Sequence, residues 1–185
     1  MDSSSLARIE GPNLRLRLMD PEDAAYVYGL RTNPLYNSHL SKVTGSVDDQ
    51  RQWIEQYKTR EAAGREFYYV IERKDRKRCG LVRLYDIEAD RFTWGSWILD
   101  ENKPHKAALE SAVLSFGVGF DLMQRDLAKV DVRLENSHAE AFYRRLGMTE
   151  TCRTDQDIYF IYSRAQFHAD KANYLSLLSL GKPSG

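Results

Sequence analysis

The chain has 185 residues, 42% of them hydrophobic and 29% charged, which suits one domain with a sizeable core. Basic and acidic residues balance at 27 each, leaving no excess of positive charge to hold nucleic acid through its phosphates. No apolar run reaches the roughly 18 residues that span a bilayer. The opening Met1-Asp2-Ser3-Ser4-Ser5 lacks a secretory pattern, and two cysteines make no disulfide framework. A cytoplasmic protein with buried thiols at Cys79 and Cys152 is expected.

Residues 1–12 read as an N-terminal tail. Leu14-Arg15-Leu16-Arg17-Leu18 then alternates as a half-buried strand does. Asp20-Pro21 supplies a capping oxygen and a proline for a helix ending near Asn33-Pro34. Ser46-Val47-Asp48-Asp49 is a capping box for a second helix, with Trp53, Ile54 and Tyr57 on one face. Three strands follow, around Phe67–Ile71, Gly80–Tyr85 and Phe92–Leu99. The charged run Lys74–Arg78 between the first two reads as a solvated hairpin tip rather than a phosphate patch.

Pro104 is expected to open a third helix, with Leu109, Ala112, Val113, Phe116 and Phe120 at helical spacing. Gly117 and Gly119 inside it imply close approach to the sheet, since each costs about 1 kcal/mol relative to alanine. Leu127–Leu134 is a strand, and Ser137-His138-Ala139-Glu140 a capping box for a short helix ending at Gly147. Ile158–Tyr162 is the last strand of a domain taken as residues 13–164. Residues 165–185 read as an amphipathic helix and tail, whose leucines could pack on the chain's own sheet or on a second subunit; a homodimer is expected. The order predicts an α/β (α+β) fold: a mixed, largely antiparallel sheet of about six to seven strands flanked by helices.

Two stretches carry a family resemblance. Asn136-Ser137-His138-Ala139-Glu140-Ala141-Phe142-Tyr143-Arg144-Arg145-Leu146-Gly147-Met148 resembles the N-x-x-(A/S)-x-x-(L/F)-Y-x-(K/R)-x-G-F segment of the GNAT superfamily of N-acetyltransferases, with methionine for the final aromatic. Gly95-Ser96-Trp97-Ile98-Leu99-Asp100 is similar to the end of the fourth strand in acetyltransferases of ribosomal-protein amino termini. Leu30–Pro34 and Asp48–Ile54 look like the front of the branch acting on nucleotide-linked amino sugars.

The resemblance implies acetyl-CoA as cosubstrate and a small-molecule amine as acceptor. It makes Tyr143 the general acid, because a phenol stays protonated at neutral pH and can donate to a departing thiolate. It implies a fourth strand splayed from the fifth, so that Ile98, Leu99 and Asp100 offer free backbone to pantetheine, with a donor worth about 3 kcal/mol to the developing oxyanion. It gives Asn136 a cofactor contact.

One departure stands out. Where the family has a glycine loop around the pyrophosphate, this chain has Pro104 and Lys106 in the glycine positions, so one N–H is lost and one Cβ added. The expected cofactor set at this turn is therefore Lys103, His105, Lys106, Ala107 and Ala108, with charge in place of backbone amides.

No base stands out among Glu88, Asp90, Asp100, His105 and His138. Asn33, Tyr85 and Trp94 are candidate acceptor contacts. Regular alternation separates Trp94 from Trp97, so at most one lines the cleft. An aromatic wall favours a sugar or nucleotide-linked acceptor over a polyamine. The leading expectation is an N-acetyltransferase acting on an amino sugar or similar metabolite by direct attack. The alternatives are an acetyltransferase of protein amino termini and a non-catalytic GNAT-fold binding module with a degenerate pyrophosphate loop. Four histidines and two cysteines show no metal-ligand spacing, and neither nucleic acid nor membrane is an expected partner.

Overall fold

Eight strands form one sheet in the order β1-β2-β3-β4-β5-β6-β8-β7 in the computed structural model, which describes residues 3–40 and 42–180. The strands are β1 (Arg8–Glu10), β2 (Leu14–Leu18), β3 (Phe67–Arg73), β4 (Arg78–Tyr85), β5 (Arg91–Leu99), β6 (Leu127–Arg133), β7 (Thr149–Arg153) and β8 (Asp157–Ser163). All neighbours are antiparallel except β5 and β6. The mixed sheet with helices on its faces agrees with the sequence reading. Two short strands raise the count above six to seven. β1 lies within residues 1–12, which read as a tail; there α1 (Ser3–Ala7) and β1 extend the sheet edge. β7 is a mostly exposed strand whose sequence shows no apolar alternation. The closing segment from Gly181 lies outside the described residues.

Alternation on the central strands feeds two cores. Leu14, Leu16, Tyr69, Val82, Phe92 and Trp94 belong to the larger one, with α5 (Ala107–Gly117), α6 (Ser137–Arg145) and α7 (Arg164–Ser179). Tyr68, Val70, Leu81 and Ile98 belong to the other, with Val27 and Leu30 of α2 (Ala24–Thr32) and Ile54 and Tyr57 of α4 (Val47–Ala62). The caps act as the sequence predicts at Asp20, which accepts from Glu22 N, and at Ser46 and Asp49, which bond reciprocally. Gly147 takes φ 84° just past α6, where only an achiral residue sits without strain.

Several local expectations change. The third helix begins at Ala107, not Pro104, which lies in the preceding turn. Asn136, rather than Ser137, caps α6 by accepting from Ala139 N. Gly119 does mark a close approach, since a Cβ there would stand 2.1 Å from the Phe92 ring. Gly117 does not, its nearest such contact being 3.8 Å; it ends α5 before a π-turn over Val118–Leu122. Cys79 is buried but Cys152 is exposed on β7. The run Lys74–Arg78 holds the predicted hairpin tip, with Lys74 paired to Glu10 and Arg78 to Asp23. α7 covers its own domain through Phe167, Tyr174 and Leu178, leaving Leu175, Leu177 and Leu180 exposed.

Candidate active site

Where two parallel strands stop pairing, their facing backbone groups lose their partners. β5 and β6 pair only over Arg91–Thr93 and Leu127–Lys129. β6 stays paired with β8 as far as Arg133, so the β5 edge beyond Thr93 faces a gap. That gap is a cleft of about 340 Å³.

A bulge decides what β5 presents to it. The β4–β5 register shifts between Leu81 and Arg83, which pair with Ile98 and Gly95, and Ser96 takes φ 48°. The extra residue reverses the parity of the strand. Phe92 and Trp94 face α5 before it; Trp97 and Leu99 pack with the same core after it, while Ile98 turns to the α2/α4 side. The expectation that Trp94 and Trp97 lie on opposite faces is therefore overturned. Their rings are 5.2 Å apart, and their indole N–H groups donate to Ser115 and Ser111, one turn apart on α5, at 2.8 and 3.1 Å. Trp97 lines the cleft; Trp94 is 1% exposed and does not.

The cleft has two sides. On the α5/α6 side stand Trp97, Asn136 and Tyr143. Tyr143 is buried among Trp94, Trp97 and Phe160, with ring centroids 5.9, 6.4 and 6.0 Å away. Burial, and then the Asp131 carboxylate, push its phenol well above the ordinary value, so it keeps its proton at neutral pH. Asn136 spends its side-chain oxygen on the Ala139 amide at 3.2 Å, which leaves its NH₂ as the group to offer. On the other side stand Tyr85, Asp131, Arg133 and Asp157, facing Arg31, Tyr36, His39 and Leu40. Loss of water around its carboxyl against the wall, then the Asp157 carboxylate, push Asp131 above its ordinary value, with Arg133 opposing.

The far wall is tethered to the turn after β5. Tyr26 of α2 donates to Asp100 at 2.7 Å, and Tyr36 of α3 (Pro34–Asn37) donates to Glu101 at 2.5 Å. Asp100 also accepts from Asn102 N at 2.7 Å, so its buried carboxylate is committed to the fold.

Of the predicted site residues, the structure brings Tyr143, Asn136 and Tyr85 together. Ile98 is buried in the second core, and Leu99 packs against the first. Asn33 caps α3 by accepting from Leu35 N and does not line the cleft. Lys103 and His105 are exposed on the turn before α5, with Lys106, Ala107 and Ala108 at the helix start. None of these five lines the cleft, and Lys106 Nζ donates to the Leu177 carbonyl of α7 at 2.5 Å. Of the histidines and acids weighed as bases, none is in the lining; Glu88 pairs with Lys129 and Asp90 with Arg91. Sequence reasoning missed Asp131 and Asp157. The alternation in Leu127–Arg133 does put Lys129, Asp131 and Arg133 on one face, but only the strand separation makes that face a cleft wall.

The residues suit an acyl-CoA in three respects. The β5 edge beyond Thr93 is open for a pantetheine arm. α5 has no side-chain cap, and of its first-turn amides Ala107 N donates to the Pro104 carbonyl at 3.3 Å, which leaves those of Ala108 and Leu109 to meet an acceptor. Lys106 holds φ 61°, the left-handed turn that a glycine would take there, so the turn survives the substitution at a cost of about 1 kcal/mol.

Among the described residues no group of histidine, cysteine and acid side chains could hold a metal ion, and no helix is long and apolar enough to cross a membrane. A search of curated proteins finds no match. Among solved structures, the chain is similar to FdhC, described as a nucleotide-linked sugar GNAT, with 35% identity and a TM-score of 0.84 over 90% of this chain and 96% of that one. It is similar in fold to spermidine N-acetyltransferase from Vibrio cholerae, solved with CoA and spermine, with 18% identity and a TM-score of 0.74 over 85% of this chain and 99% of that one. The family profile for the acetyltransferase (GNAT) domain matches residues 13–149, from the first turn before β2 to the start of β7, and with the splayed strands this makes the chain a member of the GNAT family of N-acetyltransferases.

Proposed function

We propose that this enzyme transfers an acetyl group from acetyl-CoA to the primary amine of a nucleotide-linked amino sugar. The observation that carries the reading is the two-sided cleft: a buried phenol on one side of the sheet and a carboxylate pair on the other, meeting where β5 and β6 part. Acetyl-CoA would supply an activated acyl group. The open β5 edge and the Asn136 NH₂ would bind it, and the α5 first turn with Lys103 and His105 would receive its phosphates. Tyr143 would give a proton to the leaving sulfur.

The acceptor side supports an anionic rather than a polycationic substrate. Arg31 lines both the cleft and a neighbouring cavity of about 270 Å³, which Lys42, Thr44, Gln50 and Trp53 also line. Arg31, Arg133 and Lys42 suit a diphosphate, and the Trp53 indole offers an apolar surface to a base. A polyamine would meet as many cations as acids on these walls, Arg31, Arg133 and Lys42 against Asp131, Asp157 and Asp49. The 35% identity with a nucleotide-linked sugar enzyme supports the same choice.

Mass spectrometry after offering UDP- and dTDP-linked amino sugars, spermidine and short peptides, each with acetyl-CoA, tests the reading. A sugar product is expected, and Lys42→Glu is expected to raise the acceptor KM about tenfold with little change in kcat. Preferential acetylation of spermidine or of peptide amino termini overturns the acceptor class. Calorimetry showing no acetyl-CoA binding at millimolar concentration overturns the donor.

A further inference from the structure

We propose that Asp131 is the proton acceptor for the substrate's ammonium group, with Asp157 as a second carboxylate on the same cleft wall. The inference rests on the acetyl transfer proposed above, in which an amine must reach the donor uncharged.

The open face of β6 carries three charges in alternation: Lys129, Asp131 and Arg133. Two of them are matched by neighbours. Lys129 pairs with Glu88 at 3.9 Å, and Arg133 pairs with Asp157 at 3.5 Å while donating to the Gln156 side chain at 3.3 Å. Asp131 is the exception: among the described residues no lysine, arginine or histidine lies within ion-pair distance of it. Its position opposite in the β6–β8 register is Tyr159, which offers no cation. A carboxylate left unmatched on a cleft wall, beside a second carboxylate, is a ready site for a positive group from outside. An ammonium is the positive group that this reaction brings.

The proton step balances simply. One N–H bond of the ammonium breaks, one O–H bond forms on Asp131, and the nitrogen keeps the electron pair it needs for attack. Asp131 then returns the proton to solvent, to which it is exposed. The groups facing it from the packed elements are Asp157 and Tyr159 on β8, Cys152 on β7, Tyr85 on β4 with Asp86 just after it, Tyr143 on α6, and Arg31 and His39 across the cleft. Desolvation, and after it Asp157, make the carboxyl hold a proton more firmly than a solvated aspartate does, and Arg133 opposes this.

The step also couples to the acid. The Asp131 charge is one of the two causes that hold the Tyr143 phenol high. Neutralising Asp131 removes that cause just before Tyr143 has to part with its proton.

The test is the pH profile of kcat/KM with the amino sugar nucleotide that the enzyme acetylates best. Asp131→Asn is expected to lower kcat/KM near neutrality about a hundredfold, to remove the acidic limb, and to recover partly above about pH 9, where solution supplies free amine. Asp157→Asn is expected to move the acidic limb to lower pH. Folding is checked by melting. A carboxyl whose folded pKa is raised is favoured below the unfolded value and loses that advantage as pH rises through the folded one, so Asp131→Asn should melt at or above the parent at pH 7. An Asp131→Asn enzyme with the limb in place and a rate within about threefold overturns the assignment. So does a rise in KM alone with no recovery at high pH, which would mark Asp131 as a binder. If the unaltered enzyme acetylates no amine, the proposed reaction falls and this role with it; if it does, only the assignment is at stake.

Discussion

Replacing Tyr143 by phenylalanine is expected to lower kcat about a hundredfold while leaving acetyl-CoA affinity within about twofold. The substitution removes one oxygen and keeps the ring, so the contacts to Trp94, Trp97 and Phe160 remain and the core is not opened. What is lost is the proton at the meeting point of the two cleft sides. A thiolate leaving into a pocket walled by Trp97 and Val132 then has no donor except water, which the aromatic wall restricts. The raised pKa of the phenol matters to the sign. Because burial and Asp131 keep the hydroxyl protonated, the loss should be of similar size across the neutral range, with no alkaline limb from tyrosine ionisation below about pH 10. Single-turnover rates alongside calorimetry separate the two quantities. A kcat within about threefold of the parent would remove Tyr143 from the mechanism.

The largest expected effect on stability lies away from the chemistry, at Glu110. This carboxylate is fully buried on α5 and accepts from Asn13 N at 2.7 Å, Leu14 N at 2.8 Å and the Asn13 side-chain amide at 3.1 Å. The loop before β2 closes on it so tightly that a Cβ on Gly11 would stand 2.6 Å from its oxygen. Glu110→Ala leaves the buried Leu14 amide and the half-buried Asn13 amide without an acceptor and is expected to cost about 4 kcal/mol. For a chain of this size that corresponds to roughly 8–16 °C in Tm. Glu110→Gln keeps one acceptor oxygen and should cost about half as much. Thermal melts of both variants check the pair, and a loss below about 3 °C for the alanine variant would contradict the role. The anchor also bears on function, since α5 carries the candidate phosphate turn at its start.

Much of the architecture was legible because it is encoded locally. Asp20, Ser46 with Asp49, and Gly147 mark helix ends through groups within a few residues of each other, and alternation in Leu14–Leu18 needs no partner to be read. Tyr143 and Asn136 were visible through a family pattern, and the structure sets both on the same cleft. What escaped depends on distant pairing. The reversal at Ser96 is set by how β5 meets β4, so the strand's own sequence looks regular while Trp97 turns toward Trp94. Asp131 and Asp157 meet only because β6 pairs with β8 and parts from β5. Ser111 and Ser115 were a signal passed over: two hydroxyls one turn apart on an apolar helix face, each waiting for an indole N–H. At Pro104 the proline drew the predicted helix start three residues too early, because a ring that suits a first turn suits a preceding loop equally well.

Ser96 has a further consequence for how such a chain can change over generations. It works as a one-residue phase shift, so its value lies in being an additional position rather than in being serine. Deleting it would turn the distal half of the strand inside out, driving the Trp97 indole toward α2 and α4 and the Ile98 side chain into the aromatic wall. Spelling at this point is held to residues that tolerate a left-handed backbone, and length is held as well.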